Sequence, residues 1–291
     1  MNYLQKIRVL LQEKTCEDKF FTLKEKLQEA GIELTAECIG PQREGQAGQR
    51  AEVTEPEGVP GMLWITDSGA AAGKLCSLGL PVLAYFHEKN GGEDFSGLKY
   101  AMEEPQELDS QYFERVYRRL VGLPWEILTT ERCLIRETTP EDVDAFYEIY
   151  SHPSITKYTE GLYPQVEQEK QYVREYAQKV YAFYDFGVWT VTEKETGIVI
   201  GRAGFSCRAG FAQPELGFVI GVPWQRKGIA FEVCQAVLRY GRERLGFQKV
   251  NAMVCPENNA SRRLCSRLGF REMETVELDG QRYLRLEKTY L

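Results

Sequence analysis

The chain has 291 residues, 43% of them hydrophobic and 27% charged, with a formal net charge of −7. That length implies two domains, and that balance fits well-packed globular cores rather than a disordered chain. No apolar run is long enough for a bilayer. The opening segment MNYLQKIRVLLQEKT has neither a signal-peptide apolar core nor a small-residue cleavage site, so a cytoplasmic protein with no membrane partner is expected. Eight cysteines without a CxxC pair, and only His87 and His152 as histidines, argue for reduced thiols and against a zinc site. The charge is uneven: residues 1–125 hold 14 Lys+Arg against 20 Asp+Glu, a balance of −6, and residues 126–291 hold 22 against 23. An acidic first part would repel phosphates, which excludes a nucleic-acid arm and is compatible with a cationic partner.

In chain order, residues 20–30 read as a helix with Leu23 and Leu27 four apart and Gly31 as its stop. Residues 32–39 read as a strand and residues 40–58 as a polar, glycine-rich loop. Residues 62–66, MLWIT, form the next expected strand, with Asp67-Ser68 as a helix cap and Asp67 read as an N-cap rather than a metal ligand. A helix over 70–78 ends at Gly79, and residues 81–85 are again strand. This alternation predicts a small α/β domain with a parallel sheet. A helix over 109–120, then Gly122 and Pro124, mark its end, which divides the chain into 1–123 and 124–291.

The second part opens with a strand over 131–136. Thr139 is the expected N-cap of the following helix, with Pro140 in the first turn and Asp142 three residues on. Helical segments fill 141–184. Strands over 188–192 and 198–205 flank the turn Glu195-Thr196-Gly197, and a further strand covers 214–221. After the loop Gln225-Arg226-Lys227-Gly228-Ile229-Ala230, a helix runs to about 245–246. Its apolar positions Ala230, Val233, Cys234, Val237, Leu238 and Gly241 make one stripe for burial against a sheet. A strand over 249–255 precedes Asn258, and strands over 271–277 and 282–288 flank Asp279-Gly280, a two-residue hairpin signal.

The 225–230 loop carries the chemistry. A helix start with free N–H groups, two neighbouring cations and the small residues Gly228 and Ala230 lets an anion approach the backbone. By itself the pattern also describes a plain strand-to-helix turn. Taken with Asn258, Ser261 and Leu268-Gly269-Phe270 downstream, Gln-x-x-Gly-x-Ala resembles the pyrophosphate signature of the GNAT acyl-CoA-dependent N-acyltransferases over residues 124–291, closest to the RimJ/RimL-like branch. The resemblance implies a mixed sheet flanked by helices, acetyl-CoA as co-substrate and no metal. It implies that Gln225, Arg226, Lys227, Gly228, Ile229 and Ala230 hold the pyrophosphate with Asn258 and Ser261 nearby. Val219 and Ile220 would offer backbone groups to the pantetheine arm and the thioester oxygen. The implied reaction is acetyl transfer to a primary amine, either a protein N-terminus or a small amine.

Glu215 opens the strand before the loop, where related enzymes often carry a carboxylate that takes the amine proton; a strand-end ion pair is the other reading. Many relatives have a tyrosine where this chain has Cys265, which leaves three roles open: a packing cysteine, a weak acid or a nucleophile. The acceptor site would draw on Tyr147, Tyr150, Tyr158, Tyr163, Tyr181, Tyr184 and Trp189, with Asp185 and Glu160 as possible amine attractors. A non-catalytic acyl-CoA sensor or scaffold would keep the same binding loop. In the first part, Ile65-Thr66-Asp67-Ser68 followed by Leu78-Gly79-Leu80-Pro81-Val82 resembles the later half of haloacid-dehalogenase-like folds. The nucleophile motif of that family is missing from residues 1–125, so no phosphatase chemistry is expected.

Overall fold

The computed structural model describes residues 3–12, 18–39 and 60–290. The expected loop over 40–58 lies outside the described residues. The chain divides into two compact units, Met1–Leu123 and Pro124–Leu291.

The first unit contains β1 (Lys6–Leu11), α1 (Phe21–Glu29), β2 (Glu33–Cys38), β3 (Met62–Thr66), α2 (Gly69–Ser77), β4 (Val82–Tyr85), β5 (Ala101–Met102) and α3 (Ser110–Leu120). Its strands run parallel in the order β2-β1-β3-β4-β5. Every residue of β3 and β4 is buried, because helices cover both faces of a parallel sheet. One layer packs Ile7, Val9 and Leu11 with Leu23, Leu27, Phe113 and Val116; the other packs Leu10 and Trp64 with Leu75. β1, at the heart of this sheet, is not among the sequence expectations.

Ser68, not Asp67, caps α2: its Oγ accepts from the Ala71 N–H at 3.4 Å. Asp67 turns into the end of the sheet and is fully buried. Its Oδ1 accepts from the Gln12 N–H at 2.8 Å, and its Oδ2 lies 3.1 Å from His87 Nε2. The reason is local: the N–H just past β1 needs an acceptor, and the carboxylate at the end of the neighbouring strand reaches it.

The second unit contains β6 (Glu126–Thr129), β7 (Cys133–Arg136), α4 (Val143–Tyr150), α5 (Pro153–Thr156), α6 (Val166–Tyr176), α7 (Ala182–Tyr184), β8 (Val188–Glu193), β9 (Val199–Ser206), β10 (Glu215–Ile220), α8 (Ile229–Glu243), β11 (Lys249–Val254), α9 (Asn259–Arg267), β12 (Arg271–Leu278) and β13 (Gln281–Thr289). A π-helical turn over Ala177–Tyr181 joins α6 to α7. The sheet order is β12-β13-β11-β10-β9-β8-β7-β6, and β10–β11 is its parallel pair. Thr139 and Asp142 form the expected capping box, and Asp142 also holds Arg136 at 2.6 and 2.7 Å. The α8 stripe is buried against the sheet through Val233, Cys234, Val237, Leu238 and Gly241. A Cβ at Gly241 would come within 2.7 Å of the Phe205 ring, so glycine lets this helix close on β9. Asp279 and Gly280 both take positive φ, 51° and 75°, as a two-residue hairpin of primed type requires.

Candidate active site

The site begins with a break in the second sheet. β10 pairs antiparallel with β9 over its full length, but pairs with β11 only at Glu215↔Asn251. The Asn251 N–H donates to Pro214 O at 2.8 Å, and beyond that point the two strands part. The inner edges of both are left facing a gap.

Which backbone groups face the gap follows from alternation along an antiparallel ladder. The Gly221 N–H donates to Ile200 O at 2.8 Å, on the β9 side. Val219 and Gly217, two and four residues earlier, therefore also turn to β9, while Leu216, Phe218 and Ile220 turn to the gap. A Cβ built on Gly201 would collide with Val219 O, which places that carbonyl on the β9 side as well. The expectation for Val219 is thus corrected: Phe218 takes its place at the open edge, and Ile220 keeps its own. Ile220 O already accepts from Gln225 Nε2 at 2.8 Å, so the Gln225 side chain ties the loop to the end of β10. At Gly217 a Cβ would meet nothing within 4 Å, which shows how open this stretch is.

The loop that follows bends twice through the left-handed region, at Arg226 (φ 59°) and at Gly228 (φ 81°), the N-cap of α8. For arginine that conformation is strained, and such strain concentrates at functional loops. Gln225, Arg226, Lys227 and Gly228 are exposed. No side chain caps α8, and among the described residues no acceptor meets the N–H groups of Ile229, Ala230 and Phe231. Three free donors at the positive end of a 15-residue helix, beside two exposed cations, make a place where an anion can be held. From behind, Arg132 braces it by donating to Lys227 O at 2.9 Å and pairing with Glu232 at 2.6 Å. Hydrogen bonding to Glu232 raises the Arg132 pKa above its ordinary value.

Asn258 is the N-cap of α9, its Oδ1 accepting from the Ser261 N–H at 3.1 Å. Both residues line a cavity of about 650 Å³ that opens between β10 and β11 and extends under α4 and α6. Glu215 lies in its wall, buried and held by Arg208, with Nε–Oε2 at 2.5 Å and Nη2–Oε1 at 3.4 Å. The bond to Glu215 raises the Arg208 pKa. Of the expected aromatic residues, Tyr150, Tyr158 and Tyr163 line the cavity, as does Glu160. Tyr181 and Trp189 are core residues instead, with the Tyr181 hydroxyl donating to Val188 O at 2.6 Å. Tyr147 donates to Tyr163 O, Tyr184 is exposed, and Asp185 sits in a left-handed turn outside the cavity lining. Sequence reasoning missed Tyr172, Tyr176, Arg202, Arg208 and Tyr283, all in the lining. Burial raises the pKa of Tyr150, Tyr172 and Tyr176, so these phenols stay neutral hydrogen-bond donors.

Cys265 requires a second correction. It is fully buried in the hydrophobic core among Leu268, Phe270 and Cys234, away from the cavity lining. Burial pushes its thiol up to about 12. A thiol that reluctant to ionise, with no path to a substrate, is neither nucleophile nor acid; of the three roles it fills the packing one. Among the described residues, no three His, Cys, Asp or Glu side chains gather as a metal site would need, and no helix is long and apolar enough to cross a membrane.

Comparison with known proteins finds its matches in the second unit. The model of the acetyltransferase (GNAT) domain matches residues 132–271. An uncharacterized N-acetyltransferase of Bacillus subtilis, YoaA, is 32% identical over 152 residues, covering 50% of this chain and 83% of that protein. The [ribosomal protein uS5]-alanine N-acetyltransferase of Escherichia coli is 36% identical over 115 residues, covering 38% of this chain and 57% of that enzyme. Among solved structures, a GNAT-family acetyltransferase from Bordetella pertussis aligns with a TM-score of 0.49 at 27% identity, over 56% of this chain and 98% of that one.

Proposed function

The chain belongs to the GNAT N-acetyltransferases, and from that premise we propose that it moves an acetyl group from acetyl-CoA to a primary amine by direct attack. The observation that carries the proposal is the parting of β10 from β11 next to an uncapped helix start. Acetyl-CoA supplies an activated acyl carbon on a thiol leaving group. The N–H groups of Ile229, Ala230 and Phe231, with Arg226 and Lys227, hold the pyrophosphate. The gap-facing backbone of Phe218 and Ile220 receives the arm and offers an N–H to the carbonyl oxygen, where charge develops in the transition state.

Glu215 is the proposed proton acceptor for the amine. Its Oε2 is committed to Arg208 at 2.5 Å, while Oε1, at 3.4 Å, is the oxygen left to take a proton from the cavity. No side chain is needed to protonate the departing thiolate, because a thiol of ordinary pKa about 8.5 is a fair leaving group in water. One relative, by its name, acts on the alanine of ribosomal protein uS5, so a protein N-terminus is one acceptor class and a small amine the other.

Glu215→Gln tests the assignment and also separates an enzyme from a non-catalytic acyl-CoA binder. The expected result is a kcat lower by about 100-fold or more with acetyl-CoA affinity unchanged. A variant as fast as the wild type removes Glu215 from the mechanism.

A further inference from the structure

Arg202 stands in the middle of β9, in register with Val219 on one side and Thr190 on the other. Its guanidinium lies 4.8 Å from the centre of the Phe146 ring, so the side chain leaves the sheet on the α4 side, and it lines the cavity. The other arginines set into this unit each have an acid: Arg208 has Glu215, Arg136 has Asp142, and Arg285 has Glu274 and Glu287. Arg202 has none within ion-pair distance among the described residues, and its Nε is buried without a hydrogen-bond partner. Its surroundings are the neutral phenols of Tyr150 and Tyr176 and, through space, Glu169, whose Oε2 accepts from the Tyr163 N–H at 3.0 Å. A guanidinium stays charged under all these conditions; Tyr150 hydrogen-bonds it and Glu169 acts on it from a distance, but no carboxylate touches it and its Nε is left without a partner, a cost that folding alone does not repay.

We infer that the acceptor carries a carboxylate beside its amine, and that Arg202 receives that carboxylate. The inference deepens the proposed acetyl transfer to an amine and rests on it. The same cavity wall holds Glu160, Glu169 and Glu215. Of the two arginines in the lining, Arg208 is taken by Glu215, which leaves Arg202 as the cation with no acid in contact, facing carboxylates that an ammonium can meet; that is the complement of a free amino acid. A peptide N-terminus has an amide where the amino acid has its carboxylate and would leave Arg202 unanswered.

The test uses the full chain. Calorimetry first establishes acetyl-CoA binding, and thiol release is then followed with the twenty proteinogenic amino acids, their amides and short peptide amides. At least one amino acid is expected to exceed its own amide about 100-fold in kcat/KM. Arg202→Gln is expected to erase that ratio by slowing the acid alone, with acetyl-CoA affinity unchanged, and Arg202→Lys to restore part of it. The wild-type ratio stands even where a variant does not fold. Amides or peptides used as well as acids overturn the assignment, as does a protein that binds acetyl-CoA yet turns over none of the amino acids. Failure to bind acetyl-CoA at all appears before any acceptor is added, and removes the acetyl-transfer reading itself.

Discussion

In the five-stranded sheet β1 is paired residue by residue with β2 and over five positions with β3, whereas in the eight-stranded sheet β10 meets β11 at one position and then leaves it. The polar groups set into the two units differ in the same way. Asp67, fully buried at the end of β3, is met by Gln12 and His87. Arg202, set in β9, has no acid partner among the described residues, and the N–H groups at the start of α8 have no acceptor. Folding alone favours closed ladders and answered charges. A unit that leaves both open, while packing a full core around them, has groups for a ligand to complete.

The sharpest way to probe this contrast is to add one methyl group at each of two glycines, Gly201 in β9 and Gly217 in β10. A Cβ at Gly201 runs into Val219 O inside the closed β9–β10 ladder, while a Cβ at Gly217 meets nothing within 4 Å. Gly201→Ala should cost about 3 kcal/mol in denaturant unfolding. Gly217→Ala should stay within about 1 kcal/mol of the wild type. Equal costs at both would mean that the cavity wall at Gly217 is packed as closely as the β9–β10 ladder. Next in size, Cys265→Ala should lose about 1–2 kcal/mol by leaving a small void in the core. Its kcat should remain within about twofold, and the native thiol should resist alkylation at pH 8 while exposed Cys207 reacts. A large loss of rate with intact stability would return Cys265 to the chemistry.

The smallest effect concerns pH. Burial raises the Asp67 carboxyl above its ordinary value, only partly offset by Gln12 and His87. A raised carboxyl binds its proton more tightly in the folded state, so its contribution to stability is present at low pH and is lost as pH rises through the folded value. Asp67→Asn should therefore become more favourable relative to wild type as pH climbs from about 4 upward. Hydrogen exchange over residues 60–90 reads that difference, and an opposite slope would mean that the His87 pair dominates.

Much of the second unit was legible because its signals are local. The Asp279-Gly280 hairpin, the Thr139 and Asp142 box, the α8 stripe and Asn258 before α9 each depend on a few neighbouring residues. What was not legible depends on partners far along the chain. β1 reads as a short apolar run near the N-terminus, and only its two distant neighbours make it central. Val219 and Phe218 are adjacent on a strand of period two, and the choice between them is made by pairing with β9, which no spacing within 215–220 reveals. Arg202 looks like any strand arginine until the carboxylates around it are counted. Cys265 sits where a tyrosine would signal chemistry, and its burial depends on how α9 packs. In the pair Asp67-Ser68 both residue types serve as N-caps, and only the distant partners Gln12 and His87 take Asp67 away and leave the cap to Ser68.

Acetyl-CoA binding at the α8 start and in the gap beside β10 is the proposal on which the rest depends. Calorimetric titration of acetyl-CoA into the wild type and into Gly228→Glu tests it most directly, with Lys227→Glu as a companion free of the positive φ that Gly228 adopts. Expected are a wild-type Kd on the order of micromolar, at least about a 100-fold loss in Gly228→Glu, and about a tenfold loss in Lys227→Glu. A folded wild type that does not bind, or binding that Gly228→Glu leaves untouched, would contradict it.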